Sequence, residues 1–278
     1  LNALRVSITI SCLFCLLVSC ISIRNDKKIT RQDDIYTLSL GDISFSVSSE
    51  KGGRIISFKR GSRELLATDI VHPLYYGSTL WLSPQSDYWP QYPNVDKLPY
   101  RAEIQNDVFR LISQSDSLSG IHIIKEFSLS EKDASVLISY TIENTSGQRK
   151  KLAPWDVARV FGGLSFFPVG EDIEINKSDV EGAYEKNGIM WYPFTNGLNE
   201  KGQKLFSTAH GGWLAHYYNN LLFVKCFPDI IPDEMPLGQG EAEIYVAPKG
   251  IYLELENHGK YTELLPRQSI QYKSLFKF

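Results

Sequence analysis

The sequence predicts an all-β domain, a sandwich or a barrel, and three observations predict it. Short runs with period-two alternation recur along the chain. Clusters rich in glycine, asparagine and proline separate them. Stretches with the 3.6-residue period of an amphipathic helix are almost absent.

Taken in order, the chain starts with a segment that reads as a targeting signal. Arg5 precedes the apolar run 6–19, which ends at Cys20. A basic start, a short apolar stretch and a small residue before the cut form the layout of a secretory signal. The run is shorter than the ~20 apolar residues a membrane-spanning helix needs. Leu17-Val18-Ser19-Cys20 resembles a bacterial lipobox, so residues 1–19 are expected to be a lipoprotein signal peptide and Cys20 the lipidated residue. The polar, aperiodic stretch that follows makes residues 20–34 the anchor and tether. Residues 35–278 are then one domain, exported and held at the bacterial cell envelope, facing the periplasm or the surface.

The strands begin with 36–40, 43–47 and 54–58, split by Gly41-Asp42 and Lys51-Gly52-Gly53. Further runs follow at 108–112, 121–129, 135–142, 213–217, 221–227, 241–246, 251–256 and 269–278. Asn144-Thr-Ser-Gly147 and Pro248-Lys-Gly250 are among the turns. Residues 74–99 hold four prolines and two tryptophans without strand period, and are read as a long aromatic loop on the β scaffold.

Of the four cysteines, only Cys226 lies beyond Cys20, so no disulfide can form within the domain. Its apolar surroundings suggest an inert buried thiol. A net charge of −3 without basic clusters excludes nucleic acid as partner. Phosphate loops, dinucleotide fingerprints and Gly-x-Ser-x-Gly elbows are missing. The five histidines show no metal-ligand spacing, and neither a cofactor nor a metal is expected. His216 is singled out among them, and the rest, His258 included, are read as turn or surface residues.

Three groups of residues could carry function. In the aromatic loop, Trp81 and Trp89 offer flat faces for the C–H surface of a sugar, while Gln85 and Asp87 could pair with its hydroxyls. The same rings could instead pack the loop onto the sandwich. In Pro154-Trp155-Asp156-Val-Ala-Arg159, an arginine stands near a carboxylate and favours its charged form, as a ligand anchor or as a buried ion pair. In Tyr252-Leu-Glu254-Leu-Glu256, strand alternation places both carboxylates on one face, where crowding would raise one pKa and prepare a general acid or base.

Three stretches of the chain resemble the galactose mutarotase-like superfamily, the β-supersandwich fold. Gly52-Gly53-Arg54-Ile55-Ile56-Ser57-Phe58 with Glu64-Leu65-Leu66 resembles its opening hairpin. Tyr140-Thr-Ile-Glu-Asn144-Thr-Ser resembles the strand and turn ahead of its central histidine. Tyr252-Leu-Glu254-Leu-Glu256 resembles the strand of its catalytic glutamate. The resemblance implies a supersandwich of antiparallel sheets with a concave, aromatic-lined, sugar-binding face. Glu254 stands where the family's base would be, with Glu256 as fallback. The family's histidine position is taken by Pro154-Trp155-Asp156, so the acid role would fall to Asp156 or His216. Expected ligand contacts are Arg54, Trp81, Gln85, Trp89, Trp155, Asp156, Arg159, Trp213, His216 and Glu254. The leading expectation is a carbohydrate-binding envelope lipoprotein. The alternatives are an aldose epimerase or other carbohydrate-processing enzyme, and a non-catalytic envelope interaction protein.

Overall fold

A computed structural model describes residues 27–88, 93–170, 177–194 and 199–278. Among them, twenty-two strands, numbered in chain order, make two antiparallel sheets. The larger sheet runs β1 (Lys28–Gln32), β2 (Ile35–Leu40), β3 (Ile43–Ser48), β4 (Arg54–Arg60), β6 (Ser78–Ser83), β11 (Lys150–Val160), β20 (Leu253–His258), β19 (Ala242–Val246), β16 (Gln203–Ser207) and β13 (Lys177–Ser178). Two short strands, β5 (Arg63–Glu64) and β21 (Thr262–Leu264), attach beside β4 and β11. The second sheet runs β14 (Tyr184–Lys186), β15 (Ile189–Pro193), β12 (Leu164–Pro168), β17 (Trp213–Tyr218), β18 (Leu221–Cys226), β22 (Ser269–Lys277), β10 (Ser135–Asn144), β9 (Ile121–Ser130), β8 (Val108–Ile112) and β7 (Arg101–Gln105).

The alternation that predicts these strands is the alternation that buries them. In β9, Ile121, Ile123, Lys125, Phe127 and Leu129 turn inward while their neighbours stay half-exposed. Between the sheets the rings of Phe45 and Phe58 meet those of Phe127, Phe223 and Phe276 at centroid distances of 5.7 to 6.4 Å. Each such ring contributes about 1.5–3 kcal/mol through the surface it removes from water.

The centre of the larger sheet differs. Every residue of β6 and of β20 is buried, as are those of β11 from Leu152 onward. One face of these strands meets the second sheet. The other lies under the segments before and after β6, which set Tyr75 against Trp81, Trp155 and Val157, and Tyr252 and Ala247 among Ala67, Val71, Phe161 and Tyr245. Pro154, with no N–H for the ladder, sits where β11 exchanges β21 for β20 as its partner.

Two expectations are corrected here. Lys28–Gln32 pairs with β2 from Lys28↔Ser39 to Gln32↔Ile35, so the larger sheet takes in part of the stretch read as a tether. The aromatic loop contains β6, a central strand. Its sequence, Ser-Thr-Leu-Trp-Leu-Ser, is buried on both faces, so it carries no alternation to read.

Candidate functional site

The outward faces of β6, β11, β20, β19 and β16 form a grid of cross-strand rows. Trp81, Trp155 and His258 stand opposite one another in one row. Thr79, Val157, Glu256, Glu243 and Phe206 make the next. Arg159, Glu254, Tyr245 and Lys204 make the third. Directly paired residues on one face lie close enough to touch, so the register brings groups far apart in sequence into one polar array.

Each charge in the array is held by an opposite one. Arg159 Nε donates to Glu254 Oε1 at 2.8 Å, and its guanidinium lies 4.9 Å from the Trp81 ring centre. Arg54 Nη2 donates to Asp96 Oδ2 at 2.7 Å, and Trp81 Nε1 donates to the same oxygen at 3.1 Å. Asp96 can come this close because Gly52, at φ +66°, has no Cβ: one placed there would sit 2.3 Å from the Asp96 backbone. Lys204 Nζ bridges Glu243 Oε2 at 2.7 Å and Glu256 Oε2 at 2.9 Å. Trp155 Nε1 donates to Glu256 Oε2 at 2.6 Å, and its ring stacks on His258.

The pKa shifts follow from this packing. Burial pushes the Glu256 carboxyl up, Lys204 only partly offsets this, and the charges of Glu243 and Glu254 add to the rise. Burial would raise Glu243 as well, but Lys204 outweighs it and holds that carboxyl below the usual range. Lys204 is raised, because its two carboxylates outweigh the cost of burial. Burial lowers His258, with Glu243 opposing the shift.

Around Glu254 stands an aromatic rim. His72 stacks on Tyr75 with centroids 4.6 Å apart, and Tyr245 and Tyr252 close the other side. Tyr75, Tyr245 and His72 are partly open to solvent. Burial raises all three tyrosines, and Glu254 raises them further. His72 Nδ1 accepts the backbone N–H groups of Leu74 and Tyr75 at 3.1 and 2.9 Å, which leaves its proton on Nε2. Burial and Arg159 lower its pKa, with Glu254 opposing the shift.

Of the residues expected from sequence, Glu254, Glu256, Arg54, Trp81, Trp155 and Arg159 meet on this face. Asp156 does not. It points the opposite way from Trp155 and Arg159, into the space between the sheets, where Lys225 Nζ lies 3.1 Å from its Oδ1. The expected pairing of Asp156 with Arg159, and the carboxylate pair with Glu254, fail because residues three apart on a strand face opposite sides. His216 belongs to β17 of the second sheet. It is fully buried, with Nδ1 2.9 Å from Ser165 Oγ, and burial pushes it down to about 4, so it is unfit as the acid of this site. Trp213 is also on β17, where its ring packs edge-on against Phe166 at 6.1 Å. Gln85 opens the short helix Gln85–Tyr88, partly exposed, just past β6. Trp89 and Cys20 lie outside the described residues.

Several members of the site were not foreseen. His258 is fully buried, against its reading as a turn or surface residue. One further step of the Tyr252-Glu254-Glu256 alternation would have reached it. The same alternation within 241–246 puts Glu243 with Tyr245. Nothing local marks Lys204, Asp96, Tyr75 or His72, which arrive through strand pairing and loop packing.

No protein-family model and no curated protein sequence matches the chain significantly. Solved structures do match. A protein of Escherichia coli K12 proposed to be an aldose 1-epimerase superposes with a TM-score of 0.63 at 12% identity, over 90% of this chain and 99% of that one. A galactose mutarotase-like protein from Lactobacillus casei ATCC 334 gives 0.58 at 9% identity, over 91% and 99%. A TPR-domain containing protein from Parabacteroides distasonis ATCC 8503 gives 0.62 at 13% identity, over 87% of this chain and 46% of that one, so this chain spans less than half of that protein. Two stacked antiparallel sheets and likenesses of this extent lead to one conclusion: the chain has the galactose mutarotase-like supersandwich fold.

Proposed function

We propose that the outward face of the larger sheet binds a carbohydrate, with Glu254 accepting sugar hydroxyls inside the rim of Tyr75, Tyr245 and His72. The observation that carries this reading is the Glu254–Arg159 pair, a 2.8 Å contact between buried groups beneath partly open aromatic side chains. A carboxylate held by an arginine is a strong, oriented hydrogen-bond acceptor, and the rings offer flat apolar surface to sugar C–H groups. The fold supports the reading by analogy only, since one fold hosts several activities. The protein would act at the bacterial cell envelope, tethered by a lipid on Cys20. Incorporation of labelled palmitate, lost in Cys20→Ser, tests that part.

The experiment for the site is calorimetry of the domain against neutral monosaccharides, uronic acids and short glycans, with Glu254→Gln alongside. Saturable binding weakened by the substitution supports the proposal. Absence of binding across the panel rejects it in favour of an interaction protein with a packed sheet face.

An aldose epimerase is the second reading, favoured by His72. Its Nε2–H is a hydrogen-bond donor that could polarise a sugar oxygen across the aromatic rim from Glu254, so a base and an electrophile stand at the same end of the site. Anomer interconversion that is accelerated by the wild type and lost in Glu254→Gln would establish turnover.

A further inference from the structure

Beside Glu254, the array holds three side chains with more ligand capacity than their neighbours use. Glu243, Glu256 and His258 are fully buried, and one ligand atom from each lies within 4.8 Å of the others. His258 Nε2 is 3.4 Å from Glu243 Oε1, aimed into the cluster, yet neither of its ring nitrogens has a hydrogen-bond partner. Glu256 Oε1 is likewise unpartnered. A neutral imidazole carries one donor and one acceptor, and leaving both unmet in the interior costs about 1–3 kcal/mol for each group. A purely structural histidine at the middle of a sheet has no reason to bear that cost.

The position calls for positive charge, and one flexible side chain now supplies it. Lys204 is the cation between the two carboxylates, and it makes no hydrogen bond to either ring nitrogen of His258. Its side chain is 17% exposed while both carboxylates are fully covered, so it has a route outward. We propose that Glu243, Glu256 and His258 form a zinc-binding site, with Lys204 holding the cation position in the metal-free protein. One imidazole nitrogen and two carboxylate oxygens are donors that zinc accepts, and a tetrahedral zinc held by three protein ligands keeps a fourth position. In a tetrahedron with ligands about 2.1 Å from the metal, the donor atoms stand roughly 3.4 Å apart, so closure asks for side-chain movements of about 1 Å. Both carboxylates are already oriented: Trp155 Nε1 donates to Glu256 Oε2 at 2.6 Å, and the Gly240 N–H donates to Glu243 Oε1 at 2.7 Å.

The test titrates the full chain, stripped with chelator, with zinc chloride and follows both binding heat and melting temperature. Wild type should bind one zinc per chain and melt higher with it. His258→Gln should bind at least about tenfold more weakly. Lys204→Met removes the competing cation and should bind tighter than wild type, with a larger zinc-induced melting shift. This variant guards against a folding artefact, because metal would then restore a cluster that the lost lysine destabilises. Absence of saturable binding in both wild type and Lys204→Met overturns the proposal. So does binding that is unchanged in His258→Gln, which would place the metal elsewhere. Cobalt bound in place of zinc should show visible absorption from a tetrahedral site that His258→Gln alters.

Discussion

The buried pair between Lys225 and Asp156 joins the two sheets through the middle of the core, and its removal can be worked out in advance. Both side chains are fully covered, and Lys225 Nζ also reaches the carbonyls of Asp156 at 2.8 Å and Leu255 at 3.3 Å. At 3.1 Å, with an effective dielectric of ~20, the two charges attract by about 5 kcal/mol. Stripping water from both offsets most of that, which is why burial lowers the Lys225 pKa even with Asp156 opposing the shift. The pair therefore adds little over an apolar filling, but either charge left alone is expensive. Lys225→Met should destabilise the domain by about 3–5 kcal/mol, and Asp156→Leu by a similar amount. The double variant should return to within ~1 kcal/mol of wild type or exceed it. Urea unfolding followed by tryptophan fluorescence measures all four proteins. Additive losses, with no recovery in the double variant, would refute the account of the pair. Asp156→Asn that abolished sugar binding without loss of stability would refute its placement as a structural residue.

Glu254→Gln should weaken sugar binding by roughly tenfold or more, through loss of a charged acceptor worth about 1.5–3 kcal/mol, and calorimetry reads it directly. Tyr245→Ala should weaken the same binding with little effect on melting, because its ring is partly exposed at the rim; a melting temperature that falls while affinity holds would contradict this. His216 titrates at about 4 in the fold against 6.5 unfolded, so the fold keeps it neutral. Its contribution is intact above pH 6.5 and is lost as pH falls from 6.5 to 4, amounting to about 3 kcal/mol, and His216→Gln should flatten stability across that window. Gly52→Ala meets the Asp96 backbone at 2.3 Å with φ at +66°, and should lower stability by about 1–3 kcal/mol in the same urea assay.

Local pattern was enough for the outer strands. In β2, β8, β9 and β10 one face is wet and the other dry, so alternation is written into the residues and the all-β class follows. It was enough, too, for the facing of Glu254 and Glu256, because two residues two apart on a strand share a side whatever the partner strands are. It failed at β6, where both faces are dry and the pattern vanishes, and at Lys28–Gln32, which is polar and becomes a strand only because β2 offers it an edge.

What the sequence by itself determined is therefore the class of fold, the face of each alternating strand and the core of the candidate site: Arg54, Trp81, Trp155, Arg159, Glu254 and Glu256. The tertiary structure alone decided who stands beside whom. Register between β20, β19 and β16 sets Glu243 against Glu256 and brings in Lys204, and loop packing delivers Asp96, Tyr75 and His72. It also sends Asp156 and His216 into the interior. The reason is that direction along a strand is a local property of the backbone, while pairing is a choice among strands distant in sequence, fixed by the packing of the whole sandwich.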